Sequence, residues 1–425
     1  MDKIRAQPIH GKTKLFYLWQ RFREWNKGSL LFYPIVFLLG SIVLVRILRQ
    51  VDLYLLTNEN LPNWWMVRAS IGVTLTSLVA SSVLSFLAIV FSISLVALQL
   101  ANQQYSPRVI TIFEQSHTTK IALSLFIATF VFSFLLMTEI LRTSLERISI
   151  ASLFINFLLI FACLFVFIIF MKSIMMMIRV TYIITIIADN TRQAIEENLP
   201  LIEAYEMCNS NSHEQPDQII GYSRPPRSLF SQRYDHGVFK ALERSMLVQI
   251  GSKYECVVRV IPKYGDYINQ GDPVVEIYGE TTVPPELVLN AIYLAPERTI
   301  YQDPSYGLRM LVDIALQALS PAVNAPTTAH EVILRLSNLL AMIAQRPQHT
   351  GAYTDKVHQI RLLQPVTTWG DFVELAFSEI IHYGNDDPQT RQSLITTLDY
   401  LLEKVPEAYK PPLEYQKVLL NGSED

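Results

Sequence analysis

The chain of 425 residues is half apolar and only 17% charged, more apolar than an ordinary soluble protein, and its apolar residues crowd into the N-terminal half. A formal net charge of -3 gives no electrostatic basis for a nucleic-acid partner. The three cysteines, Cys163, Cys208 and Cys256, are odd in number and far apart, which suggests neither a disulfide framework nor a zinc site and makes reducing cytosol the natural home of the soluble half.

Residues 1–28 form a basic segment with Lys3, Arg5, Lys12, Lys14, Arg21, Arg23 and Lys27. It is longer and more polar than the start of a signal peptide, and no small-residue cleavage site follows, so the apolar run Ser29 to Leu48 reads as a retained span. Three more stretches qualify: Ala69 to Pro107, Ile121 to Leu141 and Ile148 to Ile178. The connection from Gln50 to Val67 has no Lys or Arg and carries Asp52, Glu59 and the Trp64-Trp65 pair, so basic residues place the N-terminus in the cytoplasm. An even number of spans returns the large C-terminal part to the same, cytoplasmic side.

The second stretch is the most informative. It holds no Asp, Glu, Lys, Arg or His, and Ser70, Thr74, Ser77, Ser81, Ser85, Ala88 and Ser92 fall within roughly 80° of one another on a helix, with Gln99, Gln103 and Ser106 continuing the face. Such a stripe packs against another helix or lines a water-filled path. At 1.5 Å per residue the stretch is roughly 58 Å long against a hydrocarbon core of about 30 Å, so it is expected to leave the membrane near Leu95 to Leu100 and to end before Ser106-Pro107. Within the spans, Lys172, Glu139 and Arg142 read as interface residues, and Asn156 as a hydrogen-bonding partner for another helix.

Residues 29–198 therefore form a four-helix transmembrane domain with cytoplasmic helix extensions, the last continuing to about Asn198. A linker at 199–228 is rich in Pro and polar residues. Residues 229–284 alternate with period two around Gly265-Asp266 and Gly271-Asp272 turns, a small β-module that looks like half of a biotinyl/lipoyl-type barrel-sandwich hybrid. It lacks the Met-Lys-Met-like hairpin that carries a cofactor, so a structural or docking module is expected and no cofactor. Residues 285–410 are helical, with amphipathic spacing over Ser305 to Leu319, Thr328 to Ile343, Trp369 to Tyr383 and Asp387 to Glu403. Thr328 and Glu331 read as a capping box, and Pro411-Pro412 as the start of a tail, 411–425.

No Gly-x-Ser-x-Gly, Walker loop, His-Glu-x-x-His, Cys-x-x-Cys or Gly-x-Gly-x-x-Gly occurs, and the eight histidines show no metal-ligand spacing, so no enzyme is expected. One C-terminal stretch concentrates charge. Arg298 is within reach of Asp303, and Arg309 lies four residues before Asp313; with Asn324 they form either a polar pocket for a small ligand or ties between a loop and a helix bundle, with Asp303-Pro304 starting a helix.

Two long strings, Phe91 to Arg108 followed by Phe126-Ile-Ala-Thr-Phe130, and Asp303 to Ala329, resemble the bacterial membrane-protein family catalogued as domain of unknown function 2254; Gly265 to Val274 matches its Gly-Asp turn region. The likeness runs from about Leu30 to Leu401. The family usually has Asp between Asn and Pro, where this chain has Ala325. The resemblance implies a four-span topology and brings no established activity.

The expected protein is thus an α-helical integral membrane protein with an α+β cytosolic domain, a homo-oligomer whose second span lies nearest the symmetry axis. It is expected to act as a channel for ions or small solutes with a cytosolic vestibule or gate. The alternative is a membrane-anchored scaffold or sensor whose cytosolic domain binds a protein or small ligand.

Overall fold

The computed structural model describes residues 32–56, 66–104, 117–142, 147–199, 216–223, 234–347 and 350–422. The basic N-terminal segment, Trp64-Trp65, the Ser106-Pro107 step, most of the 199–228 linker and the side chain of Gln103 lie outside them. The chain divides into two compact units, 1–179 and 180–425.

The N-terminal unit contains four helices long and apolar enough to cross a membrane: α1 (Phe32–Leu56), α2 (Ala69–Gln104), α3 (His117–Arg142) and α4 (Ile150–Met177). In a bilayer every backbone amide must be satisfied within its own segment, which is why these apolar runs take helical form. Helix α3 is the hub, packing against α1, α2 and α4. It can do so because Ala122, Ser124, Ala128, Thr129 and Ser133 let neighbouring backbones approach, while Phe126 and Phe132 fill the space between. Leu39 and Ile47 of α1, and Phe161 and Phe165 of α4, are exposed on the outside of the unit. Two short strands, β1 (Met66–Arg68) and β2 (Arg147–Ser149), pair antiparallel immediately before α2 and α4, so these two helices start from the same end of the unit.

The fourth span does not run unbroken to Asn198, as its apolar spacing suggests. Helix α4 stops at Met177, the Arg179 amide donates to the Met176 carbonyl at 3.0 Å in a tightened last turn, and α5 (Val180–Asn198) starts anew.

In the C-terminal unit, strands β3 (Gln218–Gly221), β4 (Gly237–Leu242), β5 (Val257–Val260), β6 (Tyr267–Ile268), β7 (Pro273–Tyr278), β8 (Ile292–Ala295), β9 (Ala352–Thr354) and β10 (Ile360–Leu363) form two sheets, ordered β3-β7-β5-β10-β9 and β6-β4-β8. Short α6 (Arg244–Lys253) and α7 (Pro285–Leu289) accompany them. The sheets extend beyond the 229–284 window: β3 comes from the expected linker, and β8, β9 and β10 from the expected helical region. The β5–β7 hairpin leaves two open edges, and β3 covers one antiparallel while β10 covers the other in parallel. Both Gly-Asp turns form as expected. Gly265 and Gly271 have φ of 93° and 92°, as the third position of such a turn demands, and Asp266 and Asp272 each accept the amide of the turn's first residue at 2.7 Å.

Helices α8 (Pro304–Leu319), α9 (Pro326–Ala344), α10 (Trp369–Gly384), α11 (Pro388–Lys404) and α12 (Lys410–Gly422) complete the unit, with α5 packed against α8 and α9. Two expectations fail here for one reason, the position of proline. Helix α9 begins at Pro326, so Thr328 is already inside it and forms no capping box; Glu331 instead accepts a hydrogen bond from Thr181 at 3.0 Å. Pro411-Pro412 opens no tail but sits in the first turn of α12, where a missing amide hydrogen costs nothing.

Candidate functional site

The face of α2 that packs within the unit carries Thr76, Val79, Val83, Val90 and Ala97, all buried. At 3.6 residues per turn the small polar stripe lies about 180° away from it. Ser70, Thr74, Ser77, Ser81, Ser85, Ser92 and Gln99 are accordingly all exposed, so no described residue of the N-terminal unit covers them. Large exposed side chains border the stripe on both sides: Leu84, Phe91 and Leu95 on one, Leu78 and Ile89 on the other. Three of its hydroxyls find a partner on their own helix. Thr74 donates to the Ser70 carbonyl at 2.9 Å, Ser81 to Leu78 at 3.0 Å and Ser85 to Ser81 at 3.0 Å, the usual return bond to the preceding turn.

The polar groups inside the unit join helices. Ser133 of α3 donates to Asn156 Oδ1 of α4 at 2.7 Å, and the Cys163 thiol to Thr129 Oγ1 at 3.3 Å, so Asn156 has the interhelical role its position suggested. Glu139 is more than an interface residue near Arg142: it pairs with Arg49 of α1 at 3.2 Å. Nearby in sequence, Asp52 accepts a hydrogen bond from Ser152 of α4. Sequence reading missed these links because their partners lie on different helices and carry no shared spacing.

The five charged and polar residues singled out in the C-terminal unit are engaged in three separate arrangements. Arg298 grips Asp303 through Nη2 at 2.6 Å and Nε at 3.1 Å, and its guanidinium carbon lies 5.1 Å from the Tyr306 ring centroid. Asp303 is buried, accepts a hydrogen bond from Ser305, and caps α8 through the Tyr306 amide with Pro304 at the first helical position. Arg309 bonds Asp313 one turn on at 2.9 Å and reaches Glu379 of α10 through both terminal nitrogens, one of them at 3.0 Å. Asn324 is exposed in the turn before α9, with φ of 47°.

A further polar cluster escaped sequence reading. Arg244 donates to Gln364 at 3.1 Å, to Asn198 at 3.3 Å and to the Tyr264 hydroxyl at 3.4 Å, and lies 5.3 Å from the centre of Tyr353. Tyr264 donates in turn to Gln302 at 3.0 Å, and burial pushes its hydroxyl pKa up. These six residues come from six separate places in the sequence and tie the end of α5 and the start of α6 to both sheets. Among the described residues no group of three His, Cys, Asp or Glu side chains is placed to hold a metal ion.

Comparison with known proteins agrees with this architecture. The family model described as Predicted membrane protein (DUF2254) matches residues 27–400. Two uncharacterized proteins, from Mycobacterium bovis and Mycobacterium tuberculosis, are each 24% identical over 334 residues, covering 75% of this chain and 61% of the relative. The chain thus spans less than two thirds of these relatives' length. No solved structure matches it.

Proposed function

We propose that this chain, which belongs to the DUF2254 family of predicted membrane proteins, assembles into a homo-oligomer in which the α2 stripe of each copy faces the others and lines a path for ions or small solutes. The observation that carries this reading is the exposure of Ser70, Thr74, Ser77, Ser81, Ser85, Ser92 and Gln99 opposite the packed face of α2. Lipid has no use for seven small or polar side chains in register, whereas a second helix gains close approach from them and water gains partners. In this reading the C-terminal unit lies in the cytoplasm of a bacterium, as the basic N-terminal segment implies, and forms the vestibule or gate. The test is conductance of the purified full chain in planar bilayers. Ser85→Leu should reduce or abolish currents that the unaltered chain supports; silent bilayers across voltage, ion type and tension contradict the reading.

A second reading has an observation of its own. Because the hydroxyls of Thr74, Ser81 and Ser85 are satisfied by their own helix, this part of the stripe needs no water along it, and a dry seam between copies serves equally well. The protein is then a membrane-anchored scaffold or sensor, whose mixed sheets and helices dock a protein or small ligand without transport. Ser85→Leu then breaks up the oligomer, with no current to lose.

A further inference from the structure

The end of α4 carries a groove of about 460 Å³ lined by Phe167, Ile168, Met171, Met175 and Met176, with Lys172 and Arg179 as its only charged residues. Lys172 lies in the last turns of α4 and Arg179 two residues past its end, and both line the same groove. Both are exposed, and neither side chain has an ion-pair partner among the described residues. Helix α4 has 28 residues and is about 42 Å long, more than the hydrocarbon core of about 30 Å, so its last turns lie where acyl chains meet headgroups. An apolar wall with two unneutralised cations at that depth is complementary to one kind of molecule.

We propose that this groove binds an anionic phospholipid, its phosphate held between Lys172 and Arg179 and its upper acyl chain lying along Met171, Met175 and Phe167. The polarizable thioethers and the flexible methionine stems suit a chain of variable shape. The carbonyl end of α4 favours cations and disfavours anions, so recognition of the phosphate rests on the two side chains and not on backbone groups. A zwitterionic lipid offers the same chain but brings its own cation, which repels Lys172 and Arg179. The inference is independent of whether α2 lines a path.

The experiment is native mass spectrometry of the detergent-solubilised full chain titrated with phosphatidylglycerol or with phosphatidylcholine. Phosphatidylglycerol should bind more tightly. Lys172→Gln and Arg179→Gln should each weaken it about fivefold, and the double variant should reduce it to the phosphatidylcholine level. Arg68→Gln, a cation at the opposite end of the unit, should leave the preference unchanged. Neutral amides at two exposed sites spare the fold, and unchanged melting of the variants checks this. Equal binding of the two lipids, or a double variant that keeps the preference, overturns the proposal.

Discussion

Arg298 lies so close over Gly265 that a β-carbon there would sit 2.4 Å from the guanidinium carbon. The turn containing Gly265 and the ion pair that caps α8 are therefore one structure, although 33 residues separate them in sequence. Gly265 also has φ of 93°, which L side chains rarely adopt. Gly265→Ala is expected to cost about 1–3 kcal/mol through backbone strain and displacement of Arg298. A fall in the melting temperature of the C-terminal unit checks it; unchanged melting would mean the contact is unimportant.

Ala325 occupies the N-cap of α9 and offers no side-chain acceptor, where the resembling family usually has Asp. Pro326 already fixes the first helical position, and the Thr328 amide bonds only the Ala325 carbonyl, at 3.0 Å. Ala325→Asp should supply the missing cap and stabilise the unit by about 1 kcal/mol, raising its melting temperature by about 2–4 °C.

The Ser133–Asn156 hydrogen bond crosses the interior of the helical unit, away from water. A double-mutant cycle with Ser133→Ala and Asn156→Ala, read by unfolding in detergent, should give a coupling of roughly 0.6–2 kcal/mol. Additive losses would show that the two side chains do not interact.

Asp355 accepts hydrogen bonds from Arg361 at 2.8 Å, from the amides of Val357 and Gln359, and from Ser252, and its pKa is lowered to about 2, chiefly by Arg361. A carboxylate with a depressed folded-state pKa stabilises above its unfolded value and loses that contribution as pH falls through the folded one. The difference in melting temperature between the unaltered chain and Asp355→Asn should therefore be full at pH 5 and shrink between pH 4 and about 2. A difference independent of pH in that window would count against the assignment.

Local pattern made the spans, the Gly-Asp turns and the helices α8 to α11 legible, since each depends on spacing or turn chemistry within a few residues. Asp303-Pro304 was readable as a helix start for the same reason. The sheets were only half legible, because the pairing of β10 with β5 joins residues about a hundred apart and leaves no local trace. Close approach was invisible as well: Gly307 of α8 is needed because a β-carbon there would meet Thr191 Oγ1 of α5 at 1.9 Å, a fact belonging to two helices at once. For the α2 stripe, sequence supplied the face, and the fold supplied its direction, opposite the face that packs within the N-terminal unit.

That direction makes the decisive measurement a current. Purified full chain in planar bilayers should conduct, and Ser81→Leu or Ser85→Leu, each an exposed site whose enlargement disturbs nothing inside the unit, should reduce the conductance or abolish it. Bilayers that stay silent under voltage, ion exchange and tension, or currents untouched by either substitution, would contradict a solute path along α2.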